Sequence, residues 1–158
     1  MSELRRPGRP AVIAFLRHAG CPFAEATVRA LRASAEAHPE IDFVAVSHAG
    51  EVATRDWAAR FGGWPENVRL TIDLQRALYA RYGALNTSLW HWLSPRATWR
   101  LLPLALRGIR NRRSTGTRAQ SAATVALDAG GQVRYRHLPE HAGDLPDLRR
   151  AVEALSTD

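Results

Sequence analysis

The stretch Ala11 to Leu31, AVIAFLRHAGCPFAEATVRAL, constrains the fold most, because an apolar run passes directly into a helical pattern. Val12, Ile13 and Phe15 are β-formers, and Ala11 to Leu16 is about the length of one strand. Gly20, Cys21 and Pro22 follow, and beyond them Phe23, Ala24, Thr27, Val28 and Leu31 recur at three- and four-residue intervals. Proline suits the first helical position, since its φ is already helical and a helix start leaves that N–H unpaired anyway. Cys21 then becomes the N-cap, with its sulfur beside free amides at the positive end of a helix. A thiolate is stabilised there, so a lowered thiol pKa and a reactive sulfur are expected. The flanking glycine and proline argue for a sulfur exposed at its rim. The opposing reading is a small buried hydrophobe, since free cysteine is among the most buried residue types.

The remaining periodicities predict an alternating order. The first strand covers about Ala11–Arg17, and the first helix runs from about Pro22 to Ala37, ending before His38-Pro39. Ile41–Ser47 reads as a second strand, nearly continuous in apolar residues like one covered on both faces. Glu51–Phe61 is a second helix stopped by Gly62-Gly63. Val68–Ile72 is a third strand, and Asp73 starts a short helix closed by Gly83. Ala123–Leu127, the turn Asp128-Ala129-Gly130-Gly131 and Gln132–His137 form a hairpin. Gly143–Leu155 supplies a closing helix with Leu145, Leu148, Val152 and Leu155 as its stripe. Strand–helix–strand in the first 50 residues implies a parallel crossover. The expectation is an α/β fold with a central mixed sheet, flanking helices and a helical insertion at about 88–116 before a C-terminal ββα unit. Residues 1–10 read as a basic tail, mobile or edge-lying, and 11–158 as one domain, long enough to bury a core without disulfide staples.

One cysteine excludes an internal disulfide and a multi-cysteine metal site. The histidines at 38, 48, 91, 137 and 141 show no metal-ligand spacing, so no metal and no cofactor are expected. No signal-peptide pattern and no long apolar run are found, and a cytoplasmic protein is the plain reading. The net charge of +7 is unevenly placed. All 22 basic residues are arginine, and nine of them (Arg76, Arg81, Arg96, Arg100, Arg107, Arg110, Arg112, Arg113 and Arg118) lie between Asp73 and Asp128, where there is no acid. Within this interval, Ser94-Pro95 is a helix start in the segment Leu89–Arg113. At 100° per residue Trp99, Leu102, Leu106 and Ile109 share one face, with Arg96, Arg100 and Arg107 on an adjacent one, and Pro103 should kink the helix. This reads as an insertion that packs its Trp/Leu face on the core and leaves its arginines in solvent. The other reading is a basic amphipathic helix that meets an anionic membrane surface or an acidic protein partner. The arginines are not interleaved with aromatics on a recognisable nucleic-acid module, so no nucleic acid is expected.

A cysteine where the first strand of βαβ meets its helix, followed later by ββα, resembles the thioredoxin-like order. More specifically, the chain resembles the peroxiredoxin-like branch of the AhpC/TSA antioxidant family, which includes the selenoprotein U relatives. The stretches FLRHAGCPF (15–23), IDLQRALYARYGAL (72–85) and TVALDAGGQVRYRH (124–137) carry the resemblance, over roughly residues 11–155. It implies a thiol-dependent antioxidant enzyme in which Cys21 attacks hydrogen peroxide or a small organic hydroperoxide, becomes a sulfenic acid, and is regenerated by an external thiol. Ala24 stands where many relatives have a second cysteine, His18 where typical peroxiredoxins have threonine, and Ala14 where they have proline. Ala122, after Ser121, stands at the cis-proline position of thioredoxins. The supporting residues are therefore His18, as a donor to the thiolate or the leaving alkoxide, Pro22 at the helix start, and Ser121. Arg17, alternating to the opposite face from His18, carries less weight. Trp57 and Trp64 are expected in the core, with the wall of a peroxide pocket as the other reading. Two other functions stay open: a non-catalytic thioredoxin-like binding module that uses the insertion as its interface, and a thiol-transfer protein working through mixed disulfides in the manner of monothiol glutaredoxins.

Overall fold

The structure, a computed structural model, describes residues 4–84, 86, 95–109, 117 and 119–156. Residues 88–94 and 110–116 of the expected insertion lie outside the described residues. The strands are β1 (Ala11–Phe15), β2 (Asp42–Ser47), β3 (Val68–Ile72), β4 (Ala123–Leu127) and β5 (Val133–His137). The helices are α1 (Pro22–Ala37), α2 (Glu51–Ala59), α3 (Ala77–Arg81), α4 (Pro95–Leu106) and α5 (Leu148–Glu153).

The strands form one mixed sheet in the order β3-β2-β1-β4-β5. β1 pairs in parallel with β2 and antiparallel with β4, with Ala14 opposite Ala45 on one side and Thr124 on the other. Its five residues are all buried, which suits an apolar run covered on both faces. The period of two divides the core. Val12, Ala14 and Leu16 join one cluster with residues of α1, α2 and α5, while Ala11, Ile13 and Phe15 join another with Tyr79 of α3. The edges, β3 and β5, present exposed Arg69, Arg134 and Arg136.

Three expectations are corrected. The closing helix starts at Leu148 rather than Gly143, because Pro146 disfavours helical backbone at Leu145 and Asp147 caps instead, accepting from the N–H of Arg150 at 3.1 Å. Leu145 is exposed as a result. In α4, Trp99 (76% exposed), Leu102 (58%) and Leu106 (82%) face solvent, while Leu104 and Ile109 are buried in the cluster that contains α1. Helical periodicity finds an apolar face, but an insertion apolar on two sides can dock by either. Residues 4–10 are not a loose tail. Leu4 is buried in the α3-side cluster, and Asp42 at the start of β2 accepts from the backbone N–H of Arg6 at 2.9 Å and pairs with Arg9 at 3.2 Å.

Burial acts upward on the Asp42 carboxyl, but the hydrogen bonds from Arg6 and the charges of Arg6 and Arg9 outweigh it and hold the pKa below the usual range. A depressed carboxyl contributes stability above its unfolded value of about 4, and that contribution is lost as pH falls through the folded value. Asp42→Ala should therefore cost about 1.5 kcal/mol near neutrality, held to that size because Arg6 is largely in solvent. Urea unfolding at neutral and acidic pH checks this, and the difference from the parent should vanish in acid.

Candidate active site around Cys21

The ladder of β1 ends at Phe15, with one further bond from the N–H of Leu16 to the carbonyl of Val46 at 2.9 Å. The chain then turns through residues 18–21, closed by the Cys21 N–H donating to the His18 carbonyl at 3.2 Å. Gly20 has φ +101°, a left-handed conformation that a side chain would strain. Cys21 follows as the extended N-cap of α1, and Pro22 occupies the first turn. These are the positions expected for both residues. The N–H of Glu25 donates to the Cys21 carbonyl at 3.1 Å, the first bond of the helix.

The sulfur environment differs from expectation. Cys21 is 2% exposed, within an apolar cluster that also holds Leu16, Phe23, Leu104, Ile109 and Ala142. An exposed sulfur rim is therefore not observed. Burial pushes the thiol pKa above its ordinary value. The positive charge of Arg17 and the amides of Ala24 and Phe23 act in the opposite direction and offset only part of this. The expected lowering of the pKa is thus overturned by desolvation.

Arg17 matters more than its place in the sequence suggests. It is 3% exposed, and its charge is the largest influence opposing burial at the thiol. Strand alternation fails as a guide here because β1 has already ended two residues earlier. Burial lowers the Arg17 pKa, and the neighbouring Cys21 thiolate raises it; a guanidinium stays charged regardless. His18 is also buried, but its Nδ1 lies 3.3 Å from the Ala19 carbonyl oxygen. Ser121 is half-buried, with its hydroxyl directed to the Ala122 carbonyl at 3.4 Å.

A cavity of about 20 Å³ adjoins this site, enough for one water-sized molecule. Arg17, Ala24, Ala122, Thr124, His137 and Asp144 contribute to its wall. It joins the end of β1, the start of α1 and the start of β4 to the loop after β5. Within this wall His137 Nε2 lies 3.6 Å from an Asp144 carboxylate oxygen. Thr124 and His137 fall within the stretch 124–137 that carries the resemblance, but neither is a site candidate there, and Asp144 lies beyond it; the hairpin and the loop after it reach the site only through the fold. No group of three or more His, Cys, Asp or Glu residues suited to a metal occurs among the described residues. Trp57 is in the core, edge-on to Phe61 with centroids 5.0 Å apart, while Trp64 is half-buried and donates to the Val68 carbonyl at 2.7 Å.

No family model matches the chain, and no curated protein matches it. Solved structures do. A peroxiredoxin-like protein from Aquifex aeolicus superposes with a TM-score of 0.66 at 15% identity, over 97% of this chain and 74% of that one. A thiol peroxidase from Chromobacterium violaceum gives 0.61 at 19% identity, over 95% and 72%. A secreted Mycobacterium tuberculosis disulfide oxidoreductase homologous to DsbE of E. coli gives 0.57 at 18%, over 95% and 82%. Sheet order, the position of Cys21 and these superpositions agree on one architecture: the chain has the thioredoxin-like α/β fold.

Proposed function

We propose that this chain is a thiol-dependent redox enzyme, a peroxiredoxin-like thiol peroxidase of the AhpC/TSA and selenoprotein U branch, with Cys21 as its nucleophile. The observation that carries the reading is a cysteine at the N-cap of α1, in the turn after the central strand, with the buried Arg17 four residues before it in the same turn region. In the reaction the Cys21 thiolate attacks one peroxide oxygen. An S–O bond forms, the O–O bond breaks, and the leaving alkoxide or hydroxide takes a proton from solvent. Sulfur is oxidised to the sulfenic acid while the peroxide is reduced to an alcohol or water. An external thiol then condenses with the sulfenic acid, releasing water, and a second thiol resolves the mixed disulfide. The second thiol must be external because the chain has one cysteine, with Ala24 in the place of a resolving partner. Such a cycle suits a reducing compartment, and the cytoplasm is the proposed location.

Burial of the sulfur makes access of the peroxide depend on opening of the covering segments. His18, Pro22 and Ser121 act in this reading by shaping the turn and the helix start around the thiol. The test is to treat the protein with stoichiometric hydrogen peroxide, trap sulfenic acid with a dimedone probe and weigh the intact chain, with Cys21→Ser as control. A single adduct on the parent and none on the variant is the expected result. A folded parent that forms no adduct overturns the reading.

A further inference from the structure

We propose that α4 docks the protein onto an anionic lipid surface. Leu104 and Ile109 hold this helix against the core, and with them fixed, Trp99, Leu102 and Leu106 are left as an exposed stripe at spacings of three and four. The stripe is outward because of the helix's own packing, rather than for want of apolar residues elsewhere on the helix. Its chemical surroundings select the occupant. From residue 74 to residue 127 the chain carries nine arginines and no acid, and Arg107 beside the stripe is exposed. A second copy of this chain would bring two such basic segments together. An acidic protein would answer the arginines but would need an apolar groove of its own for the stripe. The boundary between anionic headgroups and acyl chains offers both partners on one surface, and tryptophan is enriched at that depth.

The helix lies on the bilayer rather than across it. Its 12 residues extend about 18 Å, well short of the roughly 30 Å hydrocarbon core. Among the described residues no helix is long and apolar enough to span a membrane.

The experiment is flotation of the full chain with vesicles of phosphatidylcholine alone or containing about one-third phosphatidylglycerol, at ~50 mM and ~500 mM salt. Binding to the anionic vesicles is expected at low salt, with a blue shift of tryptophan emission, and at least about tenfold weaker binding to neutral vesicles or at high salt. Trp99→Ala with Leu106→Gln should reduce partitioning by about tenfold or more, and Arg107→Ala alone by about fivefold on anionic vesicles only. These side chains are exposed, so the fold should survive, and circular dichroism checks that it does. Absence of flotation with anionic vesicles overturns the proposal, as does flotation indifferent to the double variant. Capture on polyglutamate beads without vesicle binding overturns it in favour of an acidic protein partner. A dimer that the double variant dissociates overturns it in favour of self-association. Cys21→Ser should float like the parent, so this result and the fate of the thiol chemistry are read separately.

Discussion

Replacing Arg17 by methionine should slow alkylation of Cys21 about tenfold at roughly pH 8, because the loss of an opposite charge beside an ionising group shifts its equilibrium by that order or more. Only the thiolate reacts, so the rate follows the thiolate fraction. Burial already disfavours that form at Cys21, and Arg17 is the largest influence opposing burial. Methionine keeps an unbranched apolar filling of the site and removes the charge together with the donation to the Ala142 carbonyl at 3.5 Å. Arg17→Lys retains a cation and should recover much of the rate. Sulfenic acid formation with peroxide should fall in the same proportion. The decisive readout is the pH profile of alkylation by iodoacetamide, which must move to higher pH in the methionine variant. A profile superposable on the parent, with only the thermal midpoint altered, would reduce Arg17 to a packing residue.

Tyr79→Ala should cost about 4 kcal/mol, the largest single loss expected in this chain. The ring is fully buried, edge-on to Phe15 at 5.2 Å and to His48 at 5.5 Å. Its one hydroxyl proton is shared between the carbonyls of Leu16 and Val46, at 2.6 and 2.7 Å. Those carbonyls stand where β1 and β2 run out beneath the Cys21 turn. Tyr79→Phe keeps the ring and removes the donor, and should cost about 1–2 kcal/mol. Burial first, and then the Asp73 carboxylate, raise the Tyr79 pKa well above its ordinary value. The sign follows from linkage. A raised folded pKa contributes stability that is complete below the unfolded value, about 10 for tyrosine, and is lost as pH climbs toward the folded value. The raised Cys21 thiol adds an earlier loss, beginning near its unfolded value of about 8.5. Thermal midpoints measured between neutral pH and pH ~11 should therefore decline in two stages. Cys21→Ala should remove the first stage and Tyr79→Phe should reduce the second, to which Tyr135, its pKa raised by burial, also contributes. A midpoint flat across that range would contradict both.

Much of the fold can be read directly from the residues, and the reasons are local. α1 occurs as expected at Pro22–Ala37 because proline fixes its start and His38-Pro39 its end. β3 and β4 also match their expected limits, each bounded by turn or polar residues. Where position depends on distant chain, the sequence is mute. Nothing in FLRHAGCPF reveals that Leu104, Ile109 and Ala142 share a cluster with Cys21, so a helix start that favours a thiolate was read without the desolvation that opposes it. Strand alternation, which gives Arg17 little weight, stops at Phe15. Thr124, His137 and Asp144 reach the cavity wall through the return of the hairpin, which no spacing encodes.

The arginine-bearing edges of the sheet have a consequence for handling the protein in concentrated solution. Edge strands expose a row of unpaired amides and carbonyls that can template the addition of another chain. Two copies meeting β5 to β5 would set Arg134 and Arg136 against their own likenesses, and β3 to β3 would do the same with Arg69. Arg134 is partly neutralised by Asp128 at 2.7 Å, which leaves Arg136 as the stronger guard of its edge. Such repulsion between exposed charges fades once the screening length drops to a few ångströms, about 3 Å at molar salt. The protein should therefore keep its colloidal stability in dilute buffer and become prone to growth along the sheet edges as ionic strength rises, the reverse of a protein whose edges carry paired charges of both signs.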